Sequence, residues 1–314
     1  MRRYLLIQLG SLAVMLLVAS FIIFSLVYLS PGDPVSALLG TQTRNPQRVA
    51  QLRAEYHLDK SFFDQYWIWL SHAVHGDFGK STVDQEAVGQ AIWKALPITL
   101  WLIALAEGLT ILISLAAATI AAVYRGVPDS LISLGASAGS AIPSFVAATV
   151  LSIVFAVNLK VFPVLGAGHG FTDRLWHLAL PAIALAIAFS ALLTRVARAT
   201  MRDELASDHV NTEITRGIAF PRVFRRHVLR NSAPPLLAVV GLQIPGLIAA
   251  TVVVEQVFNL SGVGSLLLSG VNSHDFPLVQ AITLLMVATV AISGMLVDLA
   301  HVLLDPRVRL GQRA

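Results

Sequence analysis

The sequence has no cysteine in 314 residues, so disulfides and thiolate metal sites are excluded, and the redox compartment is left unconstrained. Charge is also scarce: 13% of residues are Asp, Glu, Lys or Arg, against 56% that are hydrophobic. A soluble domain carries about 25% charged residues, so this balance belongs to a membrane protein. The net charge of +4 is too small to suggest nucleic-acid binding. No HExxH stretch or other histidine–carboxylate cluster has metal-ligand spacing. A complete phosphate loop is missing as well. HGDFGKST, His75–Thr82, ends like one, but G-x-x-x-x-G-K-[ST] requires a glycine five residues before Gly79, and that position is Val74.

What is abundant is long apolar sequence. Six runs approach or exceed the ~20 residues a helix needs to cross a hydrocarbon layer: Leu5–Leu29, Leu96–Val123, Leu131–Val157, Leu175–Leu193, Leu236–Phe258 and Leu278–Leu304. The first follows Arg2 and Arg3 but is too long for a secretion signal and lacks a cleavage site after it, so it is expected to remain as an anchor. Of the 22 basic residues, 14 gather on one side of this arrangement: Arg2, Arg3, Arg125, eight arginines between Arg195 and Arg230, and Arg307, Arg309 and Arg313. The positive-inside rule makes that side cytoplasmic, with both termini on it.

Residues 31–95 are then extracytoplasmic. NPQRVAQLRAEYHL suggests a short helix with Asn45 as N-cap and Pro46 in its first turn. SFFDQYWIWLSHAVHG suggests a second helix capped by Ser61, with Phe62, Phe63, Tyr66, Trp67 and Trp69 as an interfacial aromatic belt.

The most unusual arginine-rich segment is Thr194–Ala238. The fourth span is expected to run on through MRDEL, after which Ser207 or Asp208 caps the short helix DHVNTEITR. Gly217 ends it, because glycine reaches the left-handed conformation of a C′ residue most easily. Pro221 then suits the first turn of a helix leading into the fifth span. The product is a helix–turn–helix elbow beneath the bilayer, with arginine-rich flanks that suit an acidic partner or anionic headgroups.

This elbow resembles the EAA loop of the permease subunits of ATP-binding-cassette importers. The motif's glycine falls on Gly217, where Asn211, Thr212 and Glu213 replace Glu-Ala-Ala. NTEITRG is similar to the R-T-A-R-A-K-G version of the oligopeptide and dipeptide branch at Thr212, Arg216 and Gly217, and HVLRNSAPP to its H-A-L-R-N-x-x-x-P. SPGDP (Ser30–Pro34), GDFGKS, LPITL (Leu96–Leu100), AIPSF (Ala141–Phe145), VVVEQVF (Val252–Phe258) and DPRVR (Asp305–Arg309) have counterparts in order, so the resemblance spans the chain. Two departures are Ser261, where proline is common, and Glu213, where alanine is usual.

The resemblance implies an all-α integral membrane protein with six transmembrane helices, the type I importer permease fold, and identifies the chain as the first, B-type, permease subunit. It implies a first helix in 1–30, an extracytoplasmic segment in 31–95, a five-helix core in 96–304 with the coupling loop at about 201–232, and a cytoplasmic tail in 305–314. Partners would be a second homologous permease, two ATP-binding subunits that hold ATP and magnesium, and an extracytoplasmic binding protein delivering peptides. This chain would hold no cofactor and no metal and would not be an enzyme. The ATPase contact would be made by Ser207, Asp208, Asn211, Thr212, Glu213, Arg216, Gly217, Arg222, Arg225 and Arg226.

Glu107 lies mid-span, where an ionised carboxylate costs about 3 kcal/mol or more unless it faces protein or water; it either lines the translocation path or pairs within the bundle. Glu255 and Asp298 are nearer span ends and read as interfacial; His177 and His301 are isolated. Gly135–Gly139, GASAG, matches a serine-nucleophile pattern around Ser137 but reads better as a small-xxx-small helix face. Two other classes stay open: an ion-gradient-driven secondary transporter, and an intramembrane serine protease.

Overall fold

The structure is a computed structural model that describes residues 2–29 and 59–304, with side chains described over 6–26 and 59–300. The helix expected around Asn45, together with SPGDP and DPRVR, lies outside the described residues. The described residues form helices α1 (Arg2–Leu29), α2 (Phe62–Val74), α3 (Val88–Val123), α4 (Val127–Ala141), α5 (Ser144–Leu151), α6 (Gly170–Leu205), α7 (Asp208–Thr215), α8 (Phe220–Val223), α9 (Leu229–Val257), α10 (Val263–Asn272) and α11 (Phe276–Leu304). Wide π-turns extend α5 over Ser152–Asn158 and join α8 to α9 over Phe224–Val228. An isolated bridge between Lys80 and Ala87 is the one β feature among the described residues.

Five helices are long and apolar enough to cross a membrane, and six spans result if α4 and α5 count as one. That third span is not the straight helix its apolar run suggests, because α4 and the segment from Ser144 to Asn158 meet at a bend of 98°. Pro143 is the reason. It lacks an N–H, and its ring drives Ile142 to an extended backbone (φ −90°, ψ 117°), which ends α4.

The chain divides into two compact units: Met1–Pro97 with Gly262–Ile292, and Ile98–Ser261 with Ser293–Ala314. In the first, α2 lies on α1. Tyr66 is buried and its hydroxyl sits 2.9 Å from Ser20 Oγ, while the rings of Phe21 and Phe24 pack on Phe62, Tyr66 and Trp69. The five-residue aromatic belt is therefore corrected. Phe62, Tyr66 and Trp69 pack against α1, whereas Phe63 and Trp67 are left exposed. As expected, Ser61 caps this helix, with Asp64 N–H donating to its hydroxyl at 3.3 Å.

The GDFGKS stretch in the same unit is a braced turn. Gly76 and Gly79 adopt positive φ, Asp77 accepts from Gly79 N–H at 3.0 Å, and Ser81 Oγ accepts from the N–H groups of Val83 and Asp84. Behind it, Val88, Ile92 and Ala95 pack on Val263, Leu278 and Ile282.

In the second unit, α6 is the central element, packed by α4, α5 and α9. One core cluster joins Leu102 and Ala106 to Ala148, Leu178, Leu185, Leu247 and Phe258. Glu255, expected at an interface, is fully buried instead and accepts a hydrogen bond from Thr99 Oγ1 at 2.6 Å. Of the two small-face glycines, Gly139 approaches α6, where an added Cβ would lie 3.3 Å from the Ile187 carbonyl, but Gly135 faces open space.

Candidate coupling elbow

The elbow is built on a second core cluster. Met201 and Ala197 from α6, Ala118 and Ala122 from α3, Val223 and Val228 from the α8 segment, and Leu236 and Val239 from α9 form one apolar cluster that includes the fully buried Val210 of α7. One buried apolar side chain thus seats a helix of eight residues whose other apolar residue, Ile214, is exposed.

Its ends are closed by local bonds. Ser207 occupies the N-cap position, but its hydroxyl donates back to the Glu204 carbonyl at 2.6 Å and accepts no hydrogen bond from the α7 backbone N–H groups. At the other end Gly217 has φ +83°, its N–H donates to Ile214 O at 2.9 Å, and Ile218 N–H donates to Glu213 O at 3.2 Å. This double bond pattern is a Schellman motif, and the left-handed residue it needs is the glycine expected there. Pro221 falls in the first turn of α8, also as expected.

Side-chain ties hold the elbow to the span ends. Glu204 Oε1, in the last turn of α6, lies 2.7 Å from His209 Nε2 and accepts from Asn231 Nδ2 at 2.6 Å, joining α6, α7 and α9. Glu213 Oε2 lies 2.9 Å from His227 Nε2, an ion pair when the imidazole is protonated. The rings of His209 and His227 meet edge to face at 5.8 Å. Glu213 is thus turned onto the elbow's own π-turn.

The outward surface carries Asp208, Asn211, Thr212, Arg216, Arg222, Arg225 and Arg226, all exposed, together with Ile214 and Phe220. Of the expected contact set, Ser207 and Glu213 are half-buried and bonded within the elbow, and the Thr212 hydroxyl donates to Asp208 O in its own helix at 2.7 Å. Ile214 and Phe220 were missed because apolar residues in an apolar sequence carry no signal until their exposure is seen.

Two arginines that looked like topology markers are occupied. Arg198 forks onto Asp129, with Nε on Oδ1 and Nη2 on Oδ2 at 2.7 Å; Arg202 Nη2 is 2.8 Å from the same Oδ2 and donates to the Ala121 carbonyl at 2.9 Å. Asp129 went unnoticed in the sequence, although Arg198 and Arg202, four apart, put two cations on one helical face that needed an acid.

Glu107 is not paired within the bundle: both carboxylate oxygens are covered, with no hydrogen-bond partner among the described residues. Ser137 Oγ donates to Ser133 O in its own helix at 2.9 Å, as an ordinary helical serine does, and is not set against a base. His177 is held by Asp173, at 3.2 Å from Oδ1; His301 is outside the described side chains.

Two family models match the chain. The binding-protein-dependent transport system inner membrane component matches residues 110–310, and the N-terminal component of the same kind of transport system matches residues 1–103. The chain belongs to this family. The permease is 33% identical over 310 residues to the glutathione transport system permease protein GsiC of Escherichia coli K12, covering 98% of this chain and 99% of that protein. GsiC of Shigella dysenteriae is equally similar, at 33% identity over 98% of this chain and 99% of its own length.

The structure resembles the MetNI methionine ABC transporter in inward-facing conformations, with a TM-score of 0.58 and 12% identity over 69% of this chain and 97% of that one. It also resembles an amino acid ABC transporter crystallised with histidines, with a TM-score of 0.50 and 16% identity over 68% and 93% of the two chains. These likenesses establish the fold. The permease is therefore a multi-pass inner-membrane subunit of an ABC importer. The secondary-transporter and protease alternatives fall with that membership.

Proposed function

We propose that this permease forms half of the transmembrane path of an ATP-driven importer for peptides, in the size range from dipeptides through oligopeptides, pairing with a second homologous permease. GsiC is named for glutathione, a tripeptide, and the relationship to it supports this substrate class. Two ATP-binding subunits supply ATP and magnesium, a binding protein delivers substrate, and the arginine-rich ends with both termini face the cytoplasm. Residues 31–95 face the opposite side.

The observation that carries this reading is the elbow. Its exposed face joins arginines 216, 222, 225 and 226 to Ile214 and Phe220, the charged and apolar mixture a docking surface uses, while Val210 and the Schellman turn fix its shape from behind. ATP-driven closure of the partners would displace Ser207–Arg226, and α6 and α9, which enter and leave the elbow, would carry the displacement into the spans.

Glu107 is assigned to the path. Its covered, partnerless oxygens support this, because even an uncharged polar group left unmatched costs on the order of 2–7 kcal/mol and an ionised carboxylate more, and a donor from outside the chain, such as the amino group of a peptide, would lower that cost.

Since the chain has no cysteine, single introduced thiols are unambiguous reporters. Asn211→Cys and Arg216→Cys are expected to cross-link to the ATP-binding subunits in the assembled complex, while Val83→Cys, exposed in the other unit, is not. Elbow thiols that never cross-link to those subunits would overturn the docking role.

A further inference from the structure

The relationship between α4 and α6 depends on two fixed points. One is the close approach of Gly139 to the Ile187 carbonyl, where an added Cβ would come within 3.3 Å. The other is the fork of Arg198 on Asp129. From Asp129 to Gly139 is ten residues along α4, about 15 Å, and from Arg198 back to Ile187 is eleven residues along α6, about 16 Å. The arms match in length and run antiparallel, so the two contacts pin the helices along a common line.

The outer pin is well made for its place. Asp129 lies in the first turn of α4, where the helix dipole favours a carboxylate, and its side chain is only 15% exposed. Both oxygens accept charge-assisted bonds, and Arg198 presents the bidentate geometry that fixes direction as well as distance. Arg202 adds a third element. Its Nη2 also donates to Ala121 O, one of the last carbonyls of α3, which has no later turn of helix to pair with. The ends of α3, α4 and α6 thus converge on one carboxylate, a single turn before α6 ends at Leu205 and the elbow follows.

We propose that Asp129 is a positioning residue for coupling: it makes α4 move with α6, so that displacement of the elbow is carried along α4 toward the bend at Ile142–Pro143. Without it, the start of α4 loses its charged tie to α6, and an elbow that moves α6 no longer draws that end of α4 with it. The inference rests on the elbow being the ATPase contact. Its physical content, a rigid α4–α6 pair, can nevertheless be measured separately.

The test uses the assembled complex in lipid nanodiscs with spin labels at Leu134→Cys on α4 and Leu192→Cys on α6, both exposed in the chain. Inter-label distance distributions are recorded without nucleotide and after ATP–vanadate trapping. With Asp129 intact the distribution is expected to keep its position and width in both states. With Asp129→Ala it broadens or shifts on trapping, while Asp129→Glu, which keeps a carboxylate for both arginines, retains the narrow form. Asp129→Asn, which keeps an acceptor but loses the charge, should fall between, and its ATP hydrolysis should couple to the trapped conformation about tenfold more weakly.

A wild-type distance that changes on trapping, or an Asp129→Ala distribution as narrow and fixed as wild type, overturns the proposal. So does a defect that follows only the melting temperature and that Asp129→Glu does not spare. A Thr212→Cys cross-link to an ATP-binding subunit, scored in the same samples, tells failure of the docking role from failure of the clamp: its loss condemns the former, while the label distances judge the latter.

Discussion

Ser81 Oγ donates to Asp275 Oδ2 at 2.5 Å, joining residues 194 positions apart, and both side chains are buried. The other oxygen of Asp275 accepts from Leu278 N–H at 3.4 Å, so the carboxylate caps α11 while it holds the GDFGKS turn. The fragment that resembles a phosphate loop is therefore a structural turn. Its serine meets a carboxylate, which would repel phosphate.

Ser81→Ala leaves a buried carboxylate short of a donor, and the expected destabilisation is about 1–3 kcal/mol. Thermal unfolding of the detergent-solubilised permease would show it as a lowered midpoint. Ser81→Thr, which keeps the hydroxyl, is the matched control and should lose less. Equal midpoints for Ser81→Ala and the parent would mean that the bond contributes nothing.

The spans, the elbow and its terminating glycine were legible because each follows from a local rule: apolar length, N-cap and proline placement, and the left-handed turn at Gly217. The bend at Ile142–Pro143 was hidden because the apolar run continues through it, and prolines also sit inside α3, α6 and α9 without ending them. The contacts of Glu255 and Asp129 were hidden for another reason. Their partners lie 156 and 69 residues away, and no spacing rule reaches that far. The aromatic belt was overread because the sequence shows which residues are aromatic but not that Ser20 and Phe24 offer them a surface.

Gly217 tests the elbow's shape. Nothing lies within 4 Å of a Cβ added there, so a side chain fits in space and the cost of substitution comes from φ +83° alone. A valine should cost about 1–2 kcal/mol in local conformation, whereas asparagine, which tolerates this region, should cost less. Gly217→Val is expected to insert and fold while lowering association with the ATP-binding subunits, measured by copurification, and Gly217→Asn is expected to retain most of it. Undiminished association and transport in the valine variant would refute the requirement for this turn.

Glu213 departs from the alanine usual in the resembled branch, and its nearest consequence is the 2.9 Å approach to His227. The pair is about a quarter exposed on each side, at 27% for Glu213 and 23% for His227, so solvent screens it and the contribution should be small, about 0–1 kcal/mol. A double-mutant cycle of Glu213→Ala and His227→Ala, read by thermal unfolding at low and at high salt, should give a coupling that shrinks as ionic strength rises, because a partly exposed charge pair is screened. A coupling independent of salt would show that the contact is packing and not an ion pair.

The tightest glycine in the second unit is Gly241 of α9. A Cβ added there would stand 2.6 Å from Val297 Cγ1 and 2.9 Å from Cγ2, closer than atoms can remain, so α9 and α11 approach through the absence of a side chain. Val297 is β-branched and has few rotamers in a helix, so it cannot swing both methyls away, and the helices themselves must part. Gly241→Ala is therefore expected to destabilise the permease by about 1–3 kcal/mol, the usual range for overpacking. Val297→Ala removes the offending methyls, so adding it to Gly241→Ala should recover most of the loss even though each substitution alone is unfavourable. Thermal unfolding of the two single variants and the double variant in one detergent makes the comparison, and additive losses in the double variant would show that the two residues do not meet.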